Sequence, residues 1–159
     1  MSEVTAAEFD SAEVVDFLKS METRLKKVQG ADKKYVGLLS AIVYADIIKH
    51  FQNQKGSEGP WKTWSKSYKD YMQKIGKGGN MILQDSGRLR NTFMPTSNRK
   101  TSAGILWFNN AKTAGGFPYA AAHDEGGPKL PKRDFMWLSD EATEKISVQT
   151  LQFMIDEGV

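Results

Sequence analysis

The segment from Asp32 to about residue 54, DKKYVGLLSAIVYADIIKHFQNQ, limits the possible folds more than any other. Tyr35, Val36, Leu38, Leu39, Ile42, Val43, Ile47, Ile48 and Phe51 recur at helical spacing but cover more than one face. A helix apolar over so wide an arc has to be buried on more than one side. Asp32 is placed to cap its first turn. The preceding residues 10–29 read as an amphipathic helix, with Val14, Phe17, Leu18, Met21, Leu25 and Val28 three or four apart, Asp10 or Ser11 as N-cap and Gly30 as its stop. The short link QGAD favours an antiparallel helical hairpin.

The rest of the chain is broken into shorter pieces. KGSEGP at 55–60 is a turn cluster, and KGGN at 77–80 is a second break. Between them Trp61, Trp64, Tyr68 and Tyr71 fall at three- and four-residue spacing, which predicts a short helix from Ser65. Such a stripe usually faces a core with its lysines snorkelling outward; interleaved lysines and aromatics also stack bases. Gly87 suits a tight turn, with Asp85 or Ser86 capping a short helical stretch. Residues 101–108, TSAGILWF, read as a strand, 109–118 as a mobile loop, YAAAHDEGG as a short helix ended by Gly126, and RDFMWLS as a strand. Ser139 or Asp140 caps a last helix reaching about Asp156, with Leu138, Ala142, Ile146 and Phe153 on one side and Gly158 at its end. The expected fold is one α+β domain over 1–159: a helical hairpin over 1–56, then a small, mainly antiparallel sheet packed with a C-terminal helix.

Charge is unevenly placed. Residues 1–60 are net −1, residues 61–137 net +8 and residues 138–159 net −4. A basic middle with an acidic last element suits nucleic acid, head-to-tail pairing with another copy, or simply a solvated surface. The chain has no cysteine, which excludes disulfides, thiol catalysis and cysteine-based zinc sites and fits synthesis in a reducing cytoplasm. No apolar run approaches a membrane span. The acidic start, MSEVTAAEFDSAEVV, does not read as a signal peptide.

Catalytic motifs are scarce. GKGG at 76–79 lacks the strand before it and the Lys-Ser/Thr after it that a phosphate loop needs. His50 lies among Ile47, Ile48 and Phe51 and reads as structural. His123-Asp124-Glu125 offers ligand-type groups, but adjacent residues diverge in helix and strand alike and rarely converge on one metal. The plainer reading is a helix end where His123 packs, the carboxylates pair with lysine or arginine, and Gly126 and Gly127 supply backbone angles that other residues resist. No metal, cofactor or catalytic set is expected.

Four blocks stand in order: GPWKTWSKSY at 59–68, ILQDSGRLRNTF at 82–93, YAAAHDEGG at 119–127 and LPKRDFMWLSDEATEKI at 130–146. Together they resemble the phage virion morphogenesis family, the tail-completion or neck proteins of Mu-like and related tailed phages. That family's signature runs from a tryptophan, through I-L-x-x-T/S-G-x-L and a strand, to Y-A-x-x-H-x-x-G-G and P-x-R-x-F before a C-terminal helix. The resemblance covers about residues 59–146. Trp64 stands where the family usually has leucine, and Asp134 where proline is common.

The resemblance implies a structural virion protein rather than an enzyme: a ring-forming subunit at the head–tail junction, in six copies. Its expected partners are further copies of itself, the neighbouring head-closure or connector proteins and the tail-terminator or tail-tube proteins. Genomic DNA would pass without sequence-specific contact, and no membrane is involved. The residues carried over as structural or assembly positions are Trp61, Gly87, Leu89, Tyr119, His123, Gly126, Gly127, Arg133 and Phe135. From charge alone, Asp140, Glu141 and Glu144 are candidates for pairing with the basic middle of a second copy. The alternatives are a tail-terminator ring protein, a non-specific nucleic-acid-binding module, and a small hydrolase or metal enzyme around His123.

Overall fold

Both hydrophobic clusters of the molecule draw on the same helix. The computed structural model describes residues 11–29, 32–101, 104–128 and 130–156. The wide apolar arc of the sequence forms α2, Lys33–Asn53. Its first half places Tyr35 and Leu39 against Phe153, with Ile105, Trp107 and Ile146 around them. Its second half places Val43, Ile47 and Phe51 among Trp61, Leu89, Phe93 and Phe135. Burial on two sides is what the arc requires, and each such side chain contributes about 1.5–3 kcal/mol when fully withdrawn from water.

Both ends of α2 are closed locally. The Asp32 carboxylate accepts the N–H groups of Lys34 at 2.8 Å and Tyr35 at 3.4 Å. Gln54 ends the helix in the left-handed region, at φ 49°. Its side chain accepts the Ile82 N–H at 2.8 Å, and Gln84 donates to the Phe51 carbonyl at 2.8 Å. Carbonyls and N–H groups that the helix end would otherwise leave unpaired are thereby satisfied.

The preceding helix α1, Ser11–Gln29, and the last helix α6, Asp140–Asp156, complete the helical part, and α6 packs on both α2 and α1. Ser139 caps α6 by accepting the Ala142 N–H at 3.2 Å. Asp10, Gly30 and Gly158, which entered the expected helix boundaries, lie outside the described residues.

The strands form two small antiparallel sheets of two strands each, so the fold is an α+β mixture. β1 (Lys55–Gly56) and β2 (Gly59–Pro60) make one tight hairpin. β3 (Asn98–Thr101) pairs with β4 (Gly104–Trp107) in the other, with Asn98 opposite Trp107. Ile105 and Trp107 of β4 carry this hairpin onto the cluster shared by α2 and α6. Three shorter helices lie between: α3 (Lys66–Lys74), α4 (Arg88–Thr92) and α5 (Tyr119–Glu125).

Two local expectations need correction. Residues 133–139 form no strand. Their backbone groups are taken by side chains instead: Asp124 accepts the N–H groups of Phe135 and Met136, Trp61 donates to the Asp134 carbonyl, and His50 meets the Phe135 carbonyl. With those groups occupied, no ladder can form. The aromatic stripe also divides. Trp61 is core, Trp64 is half-buried, and Tyr68 and Tyr71 on α3 are exposed. In α3 only Met72 is buried, because the helix lies on the surface by one edge.

Candidate functional site

The four blocks meet at one corner, built on the second half of α2. Phe135 is fully buried, tilted against Phe51 at 5.1 Å, and Phe51 in turn meets Trp61 edge-on at 5.6 Å. The Trp61 indole donates to the Asp134 carbonyl at 2.9 Å. His50 stacks on Trp137 at 4.1 Å, nearly parallel, and its Nδ1 lies 3.0 Å from the Phe135 carbonyl. A carbonyl only accepts, so Nδ1 carries the hydrogen. The return from α5 to α6 is therefore fastened by tryptophan, histidine and aspartate side chains from three separate elements.

α5 ends where the sequence places its end. Gly126 has φ 75°, in the region that favours glycine, and its N–H closes the helix on the Ala122 carbonyl at 3.1 Å. A Cβ there would lie 2.7 Å from the Lys132 backbone nitrogen. Gly127 has neither a positive φ nor a neighbour in the way. It makes a two-way bridge with Leu130, at 2.7 and 3.2 Å. Of the two glycines, Gly126 is the one the corner requires.

His123 and Arg133 are the partly and almost fully buried polar members of this corner. The His123 carbonyl accepts the Arg133 N–H at 2.8 Å, while its Nδ1 is buried with no hydrogen-bond partner among the described residues. Burial, and then the neighbouring Arg133 charge, push the His123 imidazole below its ordinary pKa. Burial also pulls the Arg133 guanidinium down. Its Nε donates to the Lys62 carbonyl at 3.0 Å.

Asp134, placed where the resembling family often has proline, has its own partners here. Burial pushes its carboxyl up, but hydrogen bonds from the Ser57 hydroxyl and N–H and the charge of Lys132 outweigh it and leave the pKa below the ordinary value. Gly56 lies directly beneath this carboxylate, and a Cβ at that position would overlap it. The β1–β2 hairpin is held to the corner by this contact.

Above the corner opens a cleft of about 900 Å3. Gly87, Leu89, Tyr119, His123, Gly127 and Arg133 all line it, whereas Trp61, Gly126 and Phe135 are not among its lining residues. The nine positions carried over by resemblance thus converge in space, six on the cleft wall. Gly87 has φ 70° and turns the chain into α4. Leu83, also on the wall, has φ 61°, which is uncommon for a branched side chain.

The acidic candidates behave differently from one another. Glu141 is already engaged within the chain, by Lys145 at 2.6 Å and Lys49 at 3.2 Å, and these bonds hold its carboxyl below its ordinary pKa. Asp140 and Glu144 make no ion pair among the described residues and are exposed. Asp140 and Glu141 also occupy the first turn of α6, where negative charge suits the helix dipole.

Two carboxylates have partners that the sequence reading did not name. Asp124, expected to pair with a basic residue, makes no ion pair among the described residues; one of its oxygens accepts the Phe135 and Met136 N–H groups at 2.7 and 3.0 Å. Asp46, buried on α2, accepts both the N–H and the hydroxyl of Ser139, at 2.9 and 2.6 Å. An aspartate inside an otherwise apolar helix was the available signal for Asp46. Among the described residues, no group of three His, Asp or Glu side chains is arranged to hold a metal ion.

A second surface is defined by apolar exposure. On α1, Val15, Leu18 and Leu25 are exposed, and on α6 so are Val148, Leu151 and Ile155, the last two at 61% and 60%. These two helices pack together. Their contact leaves these six side chains exposed. Comparison of the chain with protein-family models, with curated proteins and with solved structures returned no match.

Proposed function

We propose that the chain is a structural subunit of a tailed-phage virion, a ring-forming tail-completion or neck protein at the head–tail junction. The observation that carries this reading is the uncovered apolar face of α1 and α6. Leu18, Leu151 and Ile155 are each about three-fifths exposed on helices that pack together. Exposed apolar patches of this kind mark interaction sites more often than solvated surface. The corner supports the same reading, since its polar groups serve to fix backbone: Asp124, His50, Trp61 and Arg133 all bond to main-chain atoms. The ring of six copies, the contacts with connector and tail proteins, and the virion location belong to this proposal. So does the absence of catalysis. A tail-terminator ring is the neighbouring alternative, built from the same kind of surface.

Negative-stain images of the purified protein, alone and mixed with tails, test the reading. Rings, or caps on tail ends, are the expected result. A monodisperse monomer that neither assembles nor binds tails at high concentration would overturn it.

One observation favours a second reading. Tyr68 and Tyr71 face solvent on α3 beside Lys66, Lys69 and Lys74, the arrangement of a sequence-tolerant nucleic-acid surface. Binding to single-stranded DNA that falls steeply with salt and is lost on Tyr71→Ala would support it.

A further inference from the structure

Arg133 at the base of the cleft is 6% exposed, and among the described residues its side chain makes one hydrogen bond, from Nε to the Lys62 carbonyl. The two terminal nitrogens of the guanidinium find no acceptor among the described residues. Those nitrogens are not among the buried polar atoms that lack a partner, so they open onto the cleft, where a ligand carboxylate can reach them. No carboxylate among the described residues is paired with it. Asp85 is the acidic residue on the cleft wall, and it is held away by Lys77 at 2.7 Å. Lys62 and Arg88 add two more cations to the wall, neither ion-paired among the described residues. Beneath them Met72 and Leu89 form a buried apolar floor, and Trp64 and Tyr68 flank it with rings in edge contact at 5.4 Å. The cleft therefore combines three cations with an apolar, aromatic seat.

We propose that this cleft is the docking site for the acidic N-terminal segment of a second copy of the chain, with Glu8-Phe9-Asp10 as the inserted triplet. Residues 1–10 carry Glu3, Glu8 and Asp10 and no lysine or arginine. Phe9 offers an aromatic ring to the floor, and the acids on either side meet Arg133, Arg88 and Lys62. Bidentate bonding of a carboxylate to Arg133 completes the guanidinium's donor set. Duplex DNA is the poorer fit, because its phosphates lie on a surface too broad to reach a side chain this deeply placed. The inference rests on the reading of the chain as a self-assembling subunit, and it names a head-to-tail contact between unlike surfaces, the kind that closes rings.

The absence of cysteine makes a direct test possible. Full-length Ala7→Cys protein is mixed with full-length Thr63→Cys protein and, separately, with Pro128→Cys protein, then oxidised mildly. Residues 63 and 128 are both exposed, on the cleft and at its rim. The expected result is a covalent heterodimer through residue 7 and at least one of the two traps, read by non-reducing electrophoresis and peptide mass. Adding Glu8→Lys and Asp10→Lys to the first partner should cut the yield about tenfold, since charge pairs steer and select such contacts. Adding Lys62→Glu and Arg88→Glu to the second should restore it. No heterodimer with either trap overturns the proposal. So does a disulfide that forms only within an Ala7→Cys/Thr63→Cys double variant, which would place the segment in its own cleft. A heterodimer blocked by duplex DNA but indifferent to the charge reversals would make the cleft a nucleic-acid site instead. Rings seen without crosslinks would sink this contact and leave the assembly reading standing; crosslinks without rings or tail caps would do the reverse.

Discussion

The two ends of α2 show opposite treatments of apolar surface. At its C-terminal half, Ile47, His50 and Phe51 are closed over by a return segment whose polar backbone is satisfied at several points. At its N-terminal half the cluster of Tyr35, Leu39 and Phe153 is small, and the helices beside it leave Leu18, Leu151 and Ile155 in water. The first region is complete within one chain. The second has apolar side chains that stay exposed among the described residues. On the proposed reading, this separates what must be stable before assembly from what assembly would stabilise.

The sharpest way to test that contrast is to cut into the finished region. Phe135→Ala should cost about 3–5 kcal/mol, because a fully buried ring leaves a cavity between Phe51 and Trp61. Urea denaturation followed by tryptophan fluorescence reads it. A loss below about 1 kcal/mol would mean that the corner collapses around the gap and is less rigidly packed than its burial indicates.

Gly126→Val comes next. Its φ of 75° alone costs a β-branched residue about 1–3 kcal/mol, and the new side chain also meets the Lys132 backbone. Gly127→Val, with open space around it, should stay close to wild type. Equal losses for the two variants would remove the argument that Gly126 sets the corner.

A smaller effect is expected from pH. The His123 pKa is lower in the folded chain than its ordinary 6.5, through burial first and Arg133 second. The unfolded chain then binds the proton at higher pH than the folded one. The stabilising contribution of neutral His123 is thus fully present above pH 6.5 and declines as pH falls through the folded pKa. Asp134, whose folded pKa lies below 3.8, acts in a separate and more acidic window, its contribution being lost as pH falls through that lower value. His123→Gln should flatten the slope just below pH 6.5 without touching the acidic one. An unchanged slope would assign the dependence to another group.

How much of this was legible in the sequence follows from where each residue finds its partner. Asp32, Ser65 and Ser139 cap helices within three residues of themselves; Asp32 and Ser139 were readable as caps and Ser65 as a helix start. Gly126 was readable for the same reason, although the sequence did not separate it from Gly127. Residues 133–139 looked like a strand because Phe135, Met136 and Trp137 suit one, yet their partners sit at positions 50, 61 and 124. Local pattern cannot report bonds formed across that distance. The cleft was only partly visible. Resemblance picked out six of its wall positions, but the unmatched charge of Arg133 is a property of three-dimensional neighbours. The periodicity of α1 was legible too; what its apolar face meets was not, because spacing along one helix does not name the surface opposite it.

The smallest effect on the lone chain is predicted for the open region, and it is the other half of the comparison. Leu151→Ser and Leu18→Ser remove side chains that are already about three-fifths exposed. Substitutions at such positions usually change stability by no more than about 0.5 kcal/mol. Ser is also only slightly worse than Leu as a helix former, so the helices themselves should persist. If the face is an assembly surface, the same two changes should abolish rings or tail caps in negative stain while the urea midpoint stays near wild type. That split between folding and assembly is the mark of surface reserved for a partner. A large drop in the midpoint would mean that these residues pack within the monomer in solution, closing the gap between the two ends of α2. Intact rings with an unchanged midpoint would leave the apolar face without a role in assembly, and would move the weight of the contact to the cleft.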